Sequence, residues 1–382
     1  MKENIKAKGS RWLLAYSRGF QKFLPSPFAI ALLLTAVAGL SALLITDAEM
    51  VLRAWSDGLW NPSLLRFGFQ AMFMLVLGHV LALSTPVKYF LDKVVILAVR
   101  NTALAPAYVA FFALMLGWLN WGLGLVAGAL LAKSVIDKSE KHGYGIRPGL
   151  LGAAGYMGLL VWHSGLSGSA PLKVAESGHL LSLYPKGADW QQPIPDAISI
   201  SSTVFSTWNI SITIGVILAV VLLFAVLGHL FHQQTLESKT LTSQFSQTDQ
   251  DLSSDHVHNF SISEKLDNGR WLAWVFGVLF LGTAIWLTMS SDSESTRLGF
   301  VTPDWINLIL LGLALLAHGS IKNLLSALEN AIGGASGILL QFPIYFGIMG
   351  VVTGTGLVNI LSGALVSSTN ITTLPLVIFT SS

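Results

Sequence analysis

The sequence predicts an all-α polytopic membrane protein, and three observations carry that fold class. Hydrophobic residues make up 53% of the 382 positions, charged residues only 11%, and apolar windows of spanning length recur along the chain. A mean hydropathy of +0.64 lies well above that of a soluble domain of this size. With a formal net charge of +2, no nucleic-acid partner is expected; the lipid bilayer is. Cysteine is absent, which excludes disulfides, thiolate metal sites and cysteine nucleophiles, and no cofactor is expected.

The elements follow in order. Residues 1–26 carry Lys2, Lys6, Lys8, Arg11, Arg18 and Lys22 and resemble a signal n-region. The apolar run after Pro27 is span-length and lacks a clear small-residue cleavage site, so these residues read as a retained cytoplasmic basic arm. Windows near 27–46, 67–83, 203–231, 271–289 and 304–318 read as spans on the criterion of ~20 apolar residues for ~30 Å of hydrocarbon, several of them short of it. Between Asn101 and Lys133 lie 31 residues without a single charge. One straight helix of that length would run ~46 Å, too long for one crossing and too short for two.

The basic residues arbitrate. With the arm inside and the sides alternating, 17 of the 22 Lys and Arg residues fall on the inner side, provided that both ends of the 102–132 stretch lie there. That stretch therefore reads as a re-entrant hairpin, its glycine-rich tip spanning Gly117 to Gly124. A second interruption follows in a broken helix at about 148–172, where an apolar run gives way to Trp162-His163-Ser164-Gly165-Leu166-Ser167-Gly168-Ser169. Irregular backbone at membrane depth is tolerated where protein encloses it or a wet cavity borders it. Half-helix N-termini suit a carboxylate and unwound carbonyls suit a cation, so paired breaks point to a secondary transporter.

The polar segment 232–270 reads as a cytoplasmic linker between a first transmembrane repeat, 27–231, and a second, 271–382. The second half holds a Gly333-Gly334-Ala335-Ser336-Gly337 run, then Gln341-Phe342-Pro343 and a Gly-Thr-Gly turn at 354–356. The pattern allows inverted repeats. No Lys or Arg follows Lys322, and the last apolar run, Leu374 to Phe379, stops short of a span, so the second repeat is expected to be truncated.

Four ordered motifs carry a family resemblance. Phe69-Gln70-Ala71-Met72 through Gly78-His79-Val80 to Ser84-Thr85-Pro86-Val87-Lys88, then Asn120-Trp121-Gly122-Leu123-Gly124, Trp162 to Leu172, and Gly337 to Pro343 resemble the bacterial short-chain fatty acid transporters, the acetoacetate and butyrate uptake carriers. The resemblance runs from Arg11 onward. It implies a multi-pass carrier of the bacterial inner membrane with a cytoplasmic N-terminus and an inverted-repeat, elevator-type fold. Its substrate would be a small monocarboxylate, and its coupling ion H+ or Na+. In that family the second repeat continues past the position of Ser382 into a further glycine-rich hairpin and another broken helix. A homo-oligomer and a different organic anion both remain open.

The candidate substrate-binding residues are Asn120, Trp121, Gly122, Gly124, Trp162, His163, Ser164, Gly165, Ser167, Gly168 and Ser169. Asn120 offers an amide that donates and accepts in one place; it either binds a carboxylate or cation or caps the hairpin. The three serines either coordinate solute or satisfy free backbone. The four glycines admit close approach of a ligand or of a neighbouring helix, with Gly124 and Gly128 at packing spacing. Trp121 and Trp162 either wall a pocket or anchor an interface. His163 and His79 are titratable and either couple to protons or hydrogen-bond their neighbours. One reading from another class is an intramembrane serine protease using Ser167, with His79 or His318 as base, suggested by Gly165-Leu166-Ser167-Gly168. A channel is the other alternative.

Overall fold

Helices start where the sequence places proline and small polar caps. In the computed structural model, which describes residues 25–141, 146–182, 194–232, 266–290 and 300–367, every regular element among the described residues is helical. Ser26 caps α1 (Pro27–Ala42) by accepting from Ala29 N at 3.3 Å. The Asp47 carboxylate caps α2 (Ala48–Leu59) through Met50 N at 2.8 Å. Then come α3 (Pro62–Ala82), α4 (Thr85–Arg100), α5 (Ala105–Leu119) and α6 (Trp121–Lys141), the first three with proline at or near their starts. Short pieces follow: α7 (Pro148–Tyr156), α8 (Gly158–Val161), a 3-10 turn over Trp162–Ser164, α9 (Ser169–Lys173) and α10 (His179–Ser182). Long helices resume with α11 (Thr207–His232), α12 (Arg270–Met289), α13 (Pro303–His318) and α14 (Ile321–Gly354), and α15 (Leu357–Ser367) follows. The basic arm up to residue 24, nearly all of the 232–270 segment and the run Leu374 to Phe379 lie outside the described residues.

Four of these helices, α3, α11, α12 and α14, are long and apolar enough to cross a membrane, and α1, α5 and α13 are shorter apolar helices. The chain is a polytopic membrane protein. Leu218, Leu222 and Leu230 on α11 and Trp274, Val278 and Ile285 on α12 are exposed, as side chains that face lipid must be. The Gly333 to Gly337 run lies within α14, and Pro343 is carried inside the same helix. Membrane helices accept such residues when neighbours repack around them. The helix stops at the Gly-Thr-Gly turn, where Gly356 adopts a φ of +77° that a side chain would resist.

Two compact units emerge. One comprises residues 1–69 and 336–382, the other residues 70–335. In the first, α2 crosses the later part of α14 through glycines: a Cβ on Gly58 would stand 2.6 Å from Gly350 Cα, and one on Gly347 would stand 2.6 Å from Trp55 Nε1. Phe67 stacks on Phe342, with ring centroids 6.3 Å apart. In the second, α4, α5, α6, α7 and α11 enclose a core that includes Val95, Val109, Leu131, Leu151 and Phe224. Met74, Leu77, Leu172, Ile200, Val204 and Leu310 form a further core in the same unit.

Candidate functional site

A single residue, Asn120, separates α5 from α6. Its backbone is extended (φ −154°, ψ 125°), so the chain reverses there. A Cβ on Gly128 would lie 3.2 Å from that of Ala113, and Gly124 meets Gly117, so the two helices run antiparallel as a hairpin. Asn120 is 2% exposed. Its Oδ1 accepts from Leu123 N at 2.8 Å, capping α6, while its Nδ2 donates to Met74 O on α3 at 3.4 Å. Gly78 of α3 lies directly against the Asn120 amide, and a Cβ on Gly122 would stand 2.5 Å from Leu75 O. The middle of α3 thus holds the tip.

The second interruption sits on that tip. After the 3-10 turn, Gly165 is extended and helix does not resume until Ser169. Leu166 N donates to Trp118 O at 2.8 Å, and Trp121 N, the first amide of α6, donates to Ser167 Oγ at 2.9 Å. Gly165 packs on the Trp118 carbonyl and Gly168 on that of His163, so a methyl at either would overlap main chain. Ser164 is held from α11: Asn209 Nδ2 donates to its carbonyl at 2.8 Å and Thr213 Oγ1 to its hydroxyl at 2.9 Å. The Trp121 and Trp162 rings are 5.4 Å apart, and the His163 ring lies 3.7 Å from that of Trp162. His163 itself is exposed, and Ser169 is half-buried at the start of α9.

All eleven candidate residues therefore belong to one assembly of tip and break. Asn120 and Ser167 both use their oxygens on amides in the first turn of α6, where the helix dipole is positive. Chemically, the assembly offers main-chain N–H groups covered by a hydroxyl and an amide beside two indoles. Among the described residues Ser167 Oγ is bonded to no imidazole; His318 Nε2 instead donates to Val80 O at 2.8 Å. The catalytic dyad required of a serine protease is not assembled.

Sequence reasoning missed a polar cluster that follows the break. Lys173, 7% exposed, pairs with Glu176 at 2.5 Å and lies 3.4 Å from Gln70 Oε1. Gln70 Nε2 donates to Asp304 at 2.7 Å, and Asn307 Nδ2 donates to the Gln70 carbonyl at 3.0 Å. Glu176 Oε1 and Asn307 Oδ1 are buried without a partner, leaving the cluster short of donors. Burial, with the Lys173 charge second, holds His179 below the ordinary imidazole value, and Glu176 partly offsets this. The available signal was Lys173 itself, the first charge after a neutral run of 25 residues, 148–172. Among the described residues, no three His, Asp or Glu side chains converge as a metal site.

The short chain fatty acid transporter family matches residues 11–382 of this chain. A Haemophilus influenzae protein is 30% identical over 367 residues, covering 94% of this chain and 77% of the relative. An Escherichia coli K12 protein is 29% identical over 372 residues, covering 96% and 78%. Both are named, provisionally, as short-chain fatty acid transporters. No solved structure matches.

Proposed function

This chain belongs to the short-chain fatty acid transporter family, and from that premise we propose that it carries small monocarboxylates, such as butyrate or acetoacetate, by secondary active transport. The family is one of transporters, so the chain is a transporter and not an enzyme. In this reading the substrate carboxylate is taken between the 117–124 tip and the 163–170 break. The observation that supports it is the pair of contacts joining them, Leu166 N to Trp118 O and Trp121 N to Ser167 Oγ. Irregular backbone at membrane depth is expensive unless protein encloses it or a wet cavity borders it, and here the hairpin tip and the broken helix are brought face to face.

We infer further that the α5–α6 hairpin is re-entrant, that the halves are inverted repeats and that transport is of elevator type. Flux is coupled to H+ or Na+, and the basic arm lies in the cytoplasm of a bacterial inner membrane. The 17 inward basic residues support that orientation.

Counterflow of labelled butyrate in proteoliposomes tests the function. Saturable exchange is expected of a carrier, whereas a channel gives non-saturating flux and no counterflow; absence of saturable uptake of either acid would sink the reading. Within it, Asn120→Ala and Ser167→Ala are each expected to cut exchange at least tenfold with membrane insertion intact. Unchanged exchange in both would remove these side chains from the site.

A further inference from the structure

Within the unit formed by residues 70–335, a cavity of about 690 Å³ opens where the ends of α3 and α13 meet the starts of α4 and α14. Its polar lining includes Lys88, His79, His318 and Asn323, and among the described residues no carboxylate lines it. Leu83, Val126 and Leu130 supply an aliphatic wall. A pocket with an unopposed cation beside alkyl surface matches an organic anion with a short apolar tail.

The two imidazoles differ. His318 is committed to the Val80 carbonyl at 2.8 Å. His79 makes no hydrogen bond to any described residue, and α14 passes it with glycine, such that a Cβ on Gly334 would stand 3.7 Å from His79 Nδ1. Lys88 makes no ion pair with a described residue either. Groups facing His79 from the other walls are Lys88 on α4 and His318 on α13, while α6 offers only Val126 and Leu130 and α14 only amides, a hydroxyl and small apolar residues. The neighbouring Gly78 rests on Asn120, so α3 links this cavity to the hairpin tip.

We propose that this cavity is a second monocarboxylate site, in which Lys88 pairs with the carboxylate and His79 holds the proton that accompanies it. The site rests on the carrier reading for its substrate class. A proton taken from solution onto the imidazole balances the anion's charge, so anion and proton together add no net charge to the cavity.

Equilibrium dialysis of labelled butyrate against the purified chain, run beside counterflow, separates the two ideas. The parent should bind two equivalents of butyrate per chain, Lys88→Gln should keep only one, and Lys88→Arg should keep both. Binding to the parent should tighten as pH falls, and His79→Gln should abolish that dependence. The chain has no cysteine, so Ser326→Cys provides a reporter at the lining, and butyrate should slow its reaction with a charged thiol reagent. If Lys88→Gln fails to fold, that protection decides. Saturable counterflow with dialysis unaltered in both variants overturns the cavity and leaves the carrier standing. Loss of one equivalent of butyrate in Lys88→Gln without counterflow in the parent supports the cavity and sinks the carrier. No binding by the parent, or no protection, overturns the cavity.

Discussion

Asn120 shows how one side chain closes a hairpin that has only one residue for its turn. Its oxygen caps α6, a contribution of ~1 kcal/mol at such positions, and its amide nitrogen ties the tip to α3. The cap was one of two uses that the sequence left open for this amide, the other being contact with a carboxylate or cation. Its burial against Gly78 was not legible, since that contact joins residues 42 apart on separate helices. His179 makes a sharper case. Held below an ordinary value of about 6.5, it resists protonation when folded but not when unfolded. Its contribution to stability is therefore complete above about pH 6.5 and is lost as pH falls from there through the lower folded value. Thermal melts between pH 8 and pH 5 should show this loss, and His179→Gln should flatten it; an identical pH profile in the variant would refute the assignment.

At the scale of elements, glycine positions decide where helices touch. Gly128 of α6 and Gly155 of α7 each lie against the other's carbonyl, so the helices cross with no side chain between them. Gly128→Val must drive them apart, at a cost of at least ~1–3 kcal/mol by the measure of overpacked cores. A clear fall in melting temperature in detergent is expected, while Gly149→Ala, with nothing within 4 Å, should melt close to the parent. Equal melting of the two variants would show that the crossing is not tight. A chain reversal inside the neutral 102–132 stretch was readable, because the stretch is too long for one straight crossing; that α6 runs on to Lys141 was not. The continuity of α14 through its glycines was not, because glycine's cost of ~1 kcal/mol in a helix is set against packing that a linear sequence does not display.

For the whole molecule, the charge bias gives a topology that chemistry can read. In a chain without cysteine, Asn101→Cys and Lys141→Cys should react with an impermeant thiol reagent from one side of the membrane, and Ser56→Cys from the other. Opposite sidedness of the first two would contradict the antiparallel hairpin between them, and reaction of a Leu119→Cys tip from the Ser56 side would make it a pair of full crossings. The sequence by itself determined the solvent, the helical class, the family and the two interruptions, because each is written in local composition and in charge at the ends of neutral runs. Only the tertiary structure decided what the interruptions touch. It seated Ser167 on the first amide of α6, assembled Gln70, Lys173 and Asp304 from positions up to 234 residues apart, and left His79 facing a cavity. Local patterns fix which residues avoid or seek lipid, but a polar group buried in a membrane protein must find its partner in three dimensions, wherever the chain happens to supply one.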